Sequence, residues 1–363
     1  MTLDPLAVVR RRLRQQRMVG EPFAGPEQAV AWSGAVQGQE FAEVKWSLAQ
    51  RTGGRTDAEI EEVLDRGDVL RTHLLRPTWH LVARADVRWL LRLTRPRVHA
   101  LNRYWYRKFE LDAALLARGH RILAAAVAED GPRTRTELAR RLAAEGIEAD
   151  GLRLGYLLMH AELEEVLCSG PRRGKQQTYA LLDHRAPTAP GDDRPHDEAV
   201  AELTLRYFRS HGPATLRDFS TWSSLTVADA RAALDRIGDG LERAEHDGTT
   251  WYAEPSTAAA VEYATTALLV PMYDETIVAH QDLRVVLAHP SARAELLERA
   301  VVVDGLTVGT WKRTLGRRSA TVDVTLFGPI GPAESAALDD AVRRFGRFLA
   351  VPAELVVHRL PEG

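Results

Sequence analysis

The sequence predicts a helix-rich α+β protein: three tandem units, each of three helices and a two-stranded wing, followed by a C-terminal α+β domain with a small antiparallel sheet. Three observations lead there. Helical runs bounded by Gly-Pro and Thr-x-x-acid signals recur in one order. Each set of runs ends in a short hairpin pattern. Near residue 256 the texture changes to alternating apolar strands. A chain of 363 residues is also too long for one ordinary core.

The first unit, 1–110, is the loosest copy. It starts with a helix at Leu6–Arg17 and a break at Gly25-Pro26, contains a Thr56/Glu59 capping box, and ends in strands Val69–Leu75 and Thr78–Val82 about an Arg76-Pro77 corner. The second, 111–184, is the clearest. A helix Leu111–Glu129 stops at Gly131-Pro132, and Thr134 with Glu137 opens a short helix closed by Gly146. Asp150 then starts a helix with Leu152, Tyr156, Met159, Leu163 and Val166 on one face. Strands Val166–Cys168 and Thr178–Leu182 form its wing around the loop Pro171–Lys175.

The Pro-rich segment 185–197 is a linker. The third unit, 198–255, repeats the order: a helix at 198–210, Gly212-Pro213, a Thr215/Asp218 box with a short helix ending near Trp222, and a Thr226-capped helix to Ile237. A hairpin turns at Asp247-Gly248. Three helices and a two-stranded wing is the plan of a winged helix. In the C-terminal domain, 256–363, the apolar run Ala264–Met272 precedes strand patterns at 300–303, 306–311 and 319–326. A helix Ala333–Phe348 and a strand Glu354–His358 close the chain.

Cys168 is the only cysteine, which excludes disulfide frameworks, zinc ribbons and iron–sulfur clusters. No run approaches a membrane span, and Leu6–Val9 leads straight into Arg10-Arg11-Arg12, unlike a secretory signal. The expected location is the cytoplasm. Net charge is −2, but the windows 5–20, 90–109, 170–178 and 305–322 together hold 18 Lys or Arg and no acid. So polarised a chain can present a basic track, and its Arg bias suits phosphate.

Several sites are absent. Gly170–Gln176 imitates a phosphate loop but is one residue short and lacks its Ser/Thr. There is no nucleophile elbow, and the twelve histidines are scattered. Asp274-Glu275 is the most suggestive acidic pair, but adjacent residues on a strand face opposite ways, which argues against a shared role.

The run AWSGAVQGQEFAEVKWSLAQRT (31–52) contains Gln37-Gly38-Gln39, which resembles the glutamine–x–glutamine motif of AlkZ-type DNA glycosylases, a winged-helix family. The segments THLLRPTWHLV (72–82), GPATLRDFSTWSSL (212–225), LLVPMYDETIVAHQDL (268–283) and VVVDGLTVGTWKRTL (301–315) resemble landmarks of the same family, so the likeness covers nearly the whole chain. One departure is Gly38, where the family usually has an aliphatic residue; it predicts a more flexible loop.

The resemblance implies a monofunctional glycosylase that excises N7-alkylguanine, including bulky adducts and interstrand crosslinks, in repair or self-resistance against a DNA-alkylating natural product. Gln37 and Gln39 would be catalytic. An N7-alkylated purine already carries positive charge and leaves readily, so no strong acid is needed. A carboxamide carbonyl can face the cationic sugar and orient water. Residues two apart in an extended loop can point to the same side. Trp32, Thr78 and His80 are candidate pocket residues, with Trp79, Trp222 and Trp311 expected as core anchors.

Arg172, Arg173 and Lys175 in the second wing, and Lys312, Arg313, Arg317 and Arg318 in a projecting hairpin, are the expected DNA contacts. Only Lys45 among four lysines lies near the Gln pair, which disfavours Schiff-base lyase chemistry. The expected partner is duplex DNA containing alkylated purines, bound by a monomer without metal or organic cofactor, at the nucleoid when on DNA. Two rival readings are a tandem winged-helix regulator that does no chemistry and a resistance protein that sequesters the toxin itself.

Overall fold

The computed structural model describes residues 4–255, 265–281 and 298–359. One chain order occurs three times: a helix, a two-residue strand, two helices and a hairpin. The helices are Pro26–Ser33, Phe41–Arg51 and Asp57–Arg66, then Ala113–Asp130, Arg135–Ala144 and Gly151–Leu163, then His196–His211, Leu216–Ser223 and Val227–Ile237. Each two-residue strand pairs with the second strand of its hairpin. The sheets are therefore Val36–Gln37, Arg76–Ala83 and Val69–Leu74; Arg133–Thr134, Gln176–Leu181 and Leu167–Arg173; and Ala214–Thr215, Thr249–Ala253 and Glu242–His246. Capping explains the regular starts. Thr56, Thr134, Thr215 and Thr226 each accept from the amide three residues on, whose acidic side chain returns the bond.

The first unit departs from the sequence reading in two ways. The N-terminal helix, Pro5–Gln15, does not belong to it. Its Val9 and Leu13 pack on Leu268, Val270 and Val302, while Arg12 Nε donates to Pro213 O at 2.9 Å and Arg11 pairs with Glu242 at 2.8 Å. This helix ties the third unit to the C-terminal sheet. The second departure is a 22-residue helix, Val87–Lys108, between the first two units. It buries Trp89, Leu90, Leu91, Leu93 and Val98 against the third unit, forming the largest core with Leu203, Phe208 and Trp222. Part of its basic stretch is neutralised by the second unit, because Arg92 and Arg95 pair with Glu165.

The C-terminal sheet has the order Ala267–Val270, Ala300–Val303, Leu306–Leu315, Ala320–Leu326, Ala353–Arg359. It is not wholly antiparallel as expected. Helix Pro332–Leu349 carries the chain back across the sheet, so the last strand lies parallel to its neighbour. One face packs on that helix together with Trp46 of the first unit, and the other on the N-terminal helix. The expected start of this domain at 256, and Asp282-Leu283 of the 268–283 segment, lie outside the described residues. No helix among the described residues is long and apolar enough to cross a membrane.

Candidate active site

Gln37 ends the short strand Val36–Gln37 and stands directly across from His80. Gly38 continues the pairing: its N–H donates to Trp79 O at 2.7 Å, and its carbonyl accepts from Arg71 Nε at 2.8 Å. Arg71 Nη2 reaches on to Gln39 O at 3.1 Å. The motif is thus sheet-paired at one edge and clamped by a guanidinium at the other, so the flexible loop expected from Gly38 does not form. Nor does the backbone there require glycine, since a Cβ would meet Leu81 at an ordinary 3.5 Å. Burial lowers the Arg71 pKa to about 10, with Glu162 opposing that shift, and its guanidinium lies 4.4 Å from the Trp79 ring centre.

Both carboxamides are held by their oxygens. Gln37 Oε1 accepts from Arg76 Nη2 at 2.9 Å, and Gln39 Oε1 accepts from the Trp79 N–H at 3.3 Å. An amide oxygen has two lone pairs, so each retains an acceptor direction. Gln37 is half-buried and Gln39 exposed, which sets the pair at the protein surface.

Beneath the pair lies a buried acid. Glu275 accepts from the Gln37 N–H at 2.6 Å and from Trp222 Nε1 at 3.0 Å, with His211 Nε2 at 3.5 Å. Arg76 donates to the Trp222 carbonyl as well; burial lowers its pKa and the Glu275 charge opposes that shift. The preceding Asp274 does not lie on a strand. It caps the short helix Glu275–Val278 and faces the other way, toward Ser47 and a bidentate Arg51 at 2.8 and 2.9 Å. Burial pushes the Asp274 carboxyl up, but Arg51, Ser47 and the Thr276 amide outweigh that and hold it at about 2.

Gln37, His80 and Thr72 form a row across the three-stranded sheet. His80 Nδ1 lies 2.9 Å from Thr78 O, a contact only an N–H can make, which leaves Nε2 as the lone-pair nitrogen. Neither that Nε2 nor the hydroxyls of Thr72 and Thr78 has a protein partner. Burial, reinforced by Arg76, pushes the His80 pKa well down, so the ring is neutral.

Residues 30–348 match a family described as DNA glycosylase AlkZ-like. The chain belongs to this family. Its members are DNA glycosylases, hydrolases of N-glycosyl bonds. The chain is 27% identical over 319 residues to an interstrand DNA cross-link repair glycosylase of Streptomyces sahachiroi, covering 82% of this chain and 85% of that protein. It shares its fold with the solved Streptomyces sahachiroi DNA glycosylase AlkZ, at a TM-score of 0.79 and 22% identity over 98% of this chain and 100% of that one. The matched range takes in the whole Gln cluster but not the N-terminal helix Pro5–Gln15.

In this AlkZ-like glycosylase the expected pocket residues divide. Thr78 and His80 join the Gln pair. Trp32 instead donates its indole N–H to Gln15 O at 2.8 Å and packs near Phe23. Trp222 and Trp311 are buried anchors, but Trp79 is half-exposed, its ring centre 4.2 Å from that of His73 and beside Gln39. The expected DNA contacts divide too. Arg173 pairs with Glu137 at 2.7 Å, Arg172 lies 4.6 Å from the Phe41 ring near Glu61, and Arg313 shares the buried Glu43 with Arg299. Lys175, Lys312, Arg317 and Arg318 are exposed, the last two at a hairpin tip closed by Gly316 N–H to Ser319 O at 2.8 Å. Charge counting along a sequence cannot see which carboxylates fold opposite which cations. It also missed Arg71 and Arg76, roughly 35 positions beyond the motif, while Glu275, roughly 240 positions on, reads in the sequence only as half of an acidic pair without a shared role.

Proposed function

We propose that this AlkZ-like glycosylase hydrolyses the N-glycosidic bond of N7-alkylated guanine in duplex DNA, including bulky adducts and interstrand crosslinks, without cutting the strand. The observation that carries this reading is the fixed presentation of two neutral carboxamides, Gln37 and Gln39, at the protein surface. As the bond to an already cationic base breaks, positive charge grows on the sugar. A preorganised carbonyl dipole stabilises that charge without reorganising. The remaining lone pairs accept from a water and aim it at the sugar carbon. The neutral His80, buried one strand over with its Nε2 unpartnered, adds a lone pair behind the motif but is too weak a base to take the water's proton, which passes to solvent.

Glu275 does not act as the acid. It is buried and occupied by Gln37 and Trp222, so its part is to hold the motif. Lys45 Nζ is enclosed by Asp57 at 2.8 Å and Glu61 at 2.6 Å, which keeps it from the abasic sugar and supports hydrolysis over lyase chemistry. We read the three repeated units as winged helices that curve around the duplex, with the first beginning at Pro26 rather than at the chain start. The hairpin tip Arg317-Arg318 enters a groove beside the lesion, which spares a crosslinked base from being flipped into an enclosed site.

Incubating the protein with N7-alkylguanine duplex should produce abasic sites, with strand breaks only after added base or endonuclease. Lesion DNA that is bound yet survives prolonged single-turnover incubation would establish the non-catalytic regulator instead.

A further inference from the structure

Three histidines far apart in sequence meet where three helices converge, and none of them is a residue of the Gln cluster. His99 lies on Val87–Lys108, His120 on Ala113–Asp130 and His160 on Gly151–Leu163, with Glu164 as that last helix's C-cap. The His99 and His160 rings are 4.6 Å apart, and those of His120 and His160 are 5.0 Å apart. One ligand atom each from His99, His160 and Glu164 lies within 4.8 Å of the others. We propose that His99, His160 and Glu164 bind a divalent transition metal, zinc by preference, which pins the Val87–Lys108 helix to the second unit.

The donor set is two imidazoles and a carboxylate, with a position left for water, a combination suited to zinc and other late first-row ions. Tetrahedral zinc spaces its ligand atoms by about 3.3 Å. His99 Nε2 and Glu164 Oε1 already stand 2.9 Å apart, and the gap to His160, within 4.8 Å of both, has to close by up to about 1.5 Å. His160 and Glu164 are four apart, so one helical turn presents both on the same face. Closure falls mainly to Glu164, which is more than a third exposed and whose other oxygen is loosely held by Arg95 at 3.7 Å.

The outer contacts are also those of a metal site. A metal-bound imidazole normally hydrogen-bonds through its second nitrogen, which fixes the ring. His99 Nδ1 lies 2.8 Å from the Tyr106 hydroxyl, itself near Asn102 Nδ2 at 3.4 Å, and His160 Nδ1 lies 3.1 Å from His120 Nε2. Each ring is therefore braced at one nitrogen. Stacking three imidazoles in a half-buried cluster has no evident packing advantage over aromatic residues, several of which, including Tyr106 and Tyr156, already surround it.

The test is calorimetric titration of the full chain with Zn2+ after chelator treatment, alongside thermal melts with and without the ion. The expected result is one equivalent bound with micromolar or tighter affinity and a higher melting temperature. His160→Phe, which retains an aromatic ring, and Glu164→Gln, at a solvent-facing helix end, should each weaken binding at least tenfold and abolish the thermal gain. Tyr106→Phe should weaken it by about tenfold, the scale of losing an outer partner. Should His160→Phe misfold, Glu164→Gln alone decides. Absence of stoichiometric Zn2+ binding in the wild type, or equal binding in the folded variants, overturns the proposal.

Discussion

Arg76 Nη2 donates to Gln37 Oε1 at 2.9 Å while the same guanidinium holds the Trp222 carbonyl, so the orientation of one carboxamide is set by the third unit of the fold. Arg76→Met should therefore slow excision of N7-alkylguanine by about 10- to 100-fold, the range for an acting group that remains but is no longer fixed. Arg76→Lys should not restore it, because an ammonium cannot reproduce the planar fork that serves both acceptors. DNA affinity should stay within twofold. Normal single-turnover rates in both variants would show that Gln37 does not need this brace.

Removing the amides themselves tests the chemistry. Gln37→Ala and Gln39→Ala should each lower the single-turnover rate by about 100-fold, the scale of losing one preorganised electrostatic group. Equilibrium binding to undamaged duplex should be unaltered. A double variant as active as the wild type removes the Gln pair from the mechanism.

Where a signal is local, the sequence carried it. The three Thr-x-x-acid boxes, the Thr226 cap, the hairpin at Asp247-Gly248 and the helix near 333–348 all lie where capping and periodicity put them. What failed was assignment across distance. The N-terminal helix has the apolar stripe of any amphipathic helix, and nothing local says that Val9 and Leu13 seek the C-terminal sheet. The same holds at the candidate site. Gln37, Gln39 and His80 could be named as candidates from the resembling segments 31–52 and 72–82, whereas Glu275 acquires its place only when a chain segment 238 residues away folds under Gln37. For the histidine cluster the one local sign was the four-residue spacing of His160 and Glu164, and His99 comes from another helix.

Gly38→Ala should be tolerated, contrary to what a glycine in a catalytic motif suggests. Its backbone lies outside the left-handed region and the added methyl meets Leu81 at 3.5 Å. Restricting the unfolded chain should raise stability by about 0.4–1 kcal/mol, with excision kept. Chemical denaturation alongside a single-turnover assay measures both. A large loss of activity would mean that the motif must move during the reaction.

The basic hairpin separates into two kinds of cation. Arg317→Ala with Arg318→Ala should weaken duplex binding and reduce the slope of log affinity against log salt by about two, one for each phosphate no longer neutralised. Melting temperature should hardly change, since both residues are exposed. Arg313→Ala should do the reverse. It leaves the buried Glu43 with Arg299 alone, which lowers stability while the salt slope stays put. Equal salt slopes for the wild type and the Arg317/Arg318 variant would make the hairpin a surface turn.

Acid should destabilise the protein in two separate windows. His80 is buried as a neutral ring with its pKa pushed well below the ordinary 6.5. Above that ordinary value folded and unfolded chains are both neutral there, so it adds no slope. Below it the unfolded chain takes up a proton that the folded one refuses, and stability falls by about 1.4 kcal/mol per pH unit for this group. Asp274 acts lower down. Its folded pKa of about 2 lies beneath the ordinary 3.8, so its contribution is complete above roughly pH 4 and is lost as pH falls toward 2. In His80→Asn the amide nitrogen can replace Nδ1 toward Thr78 O, but the group cannot titrate. Subtracting its pH–stability curve from that of the wild type should therefore leave a slope beginning near pH 6.5 and a flat line above. A difference curve flat down to about pH 5 would mean that His80 accepts a proton in the folded protein as easily as in the unfolded chain.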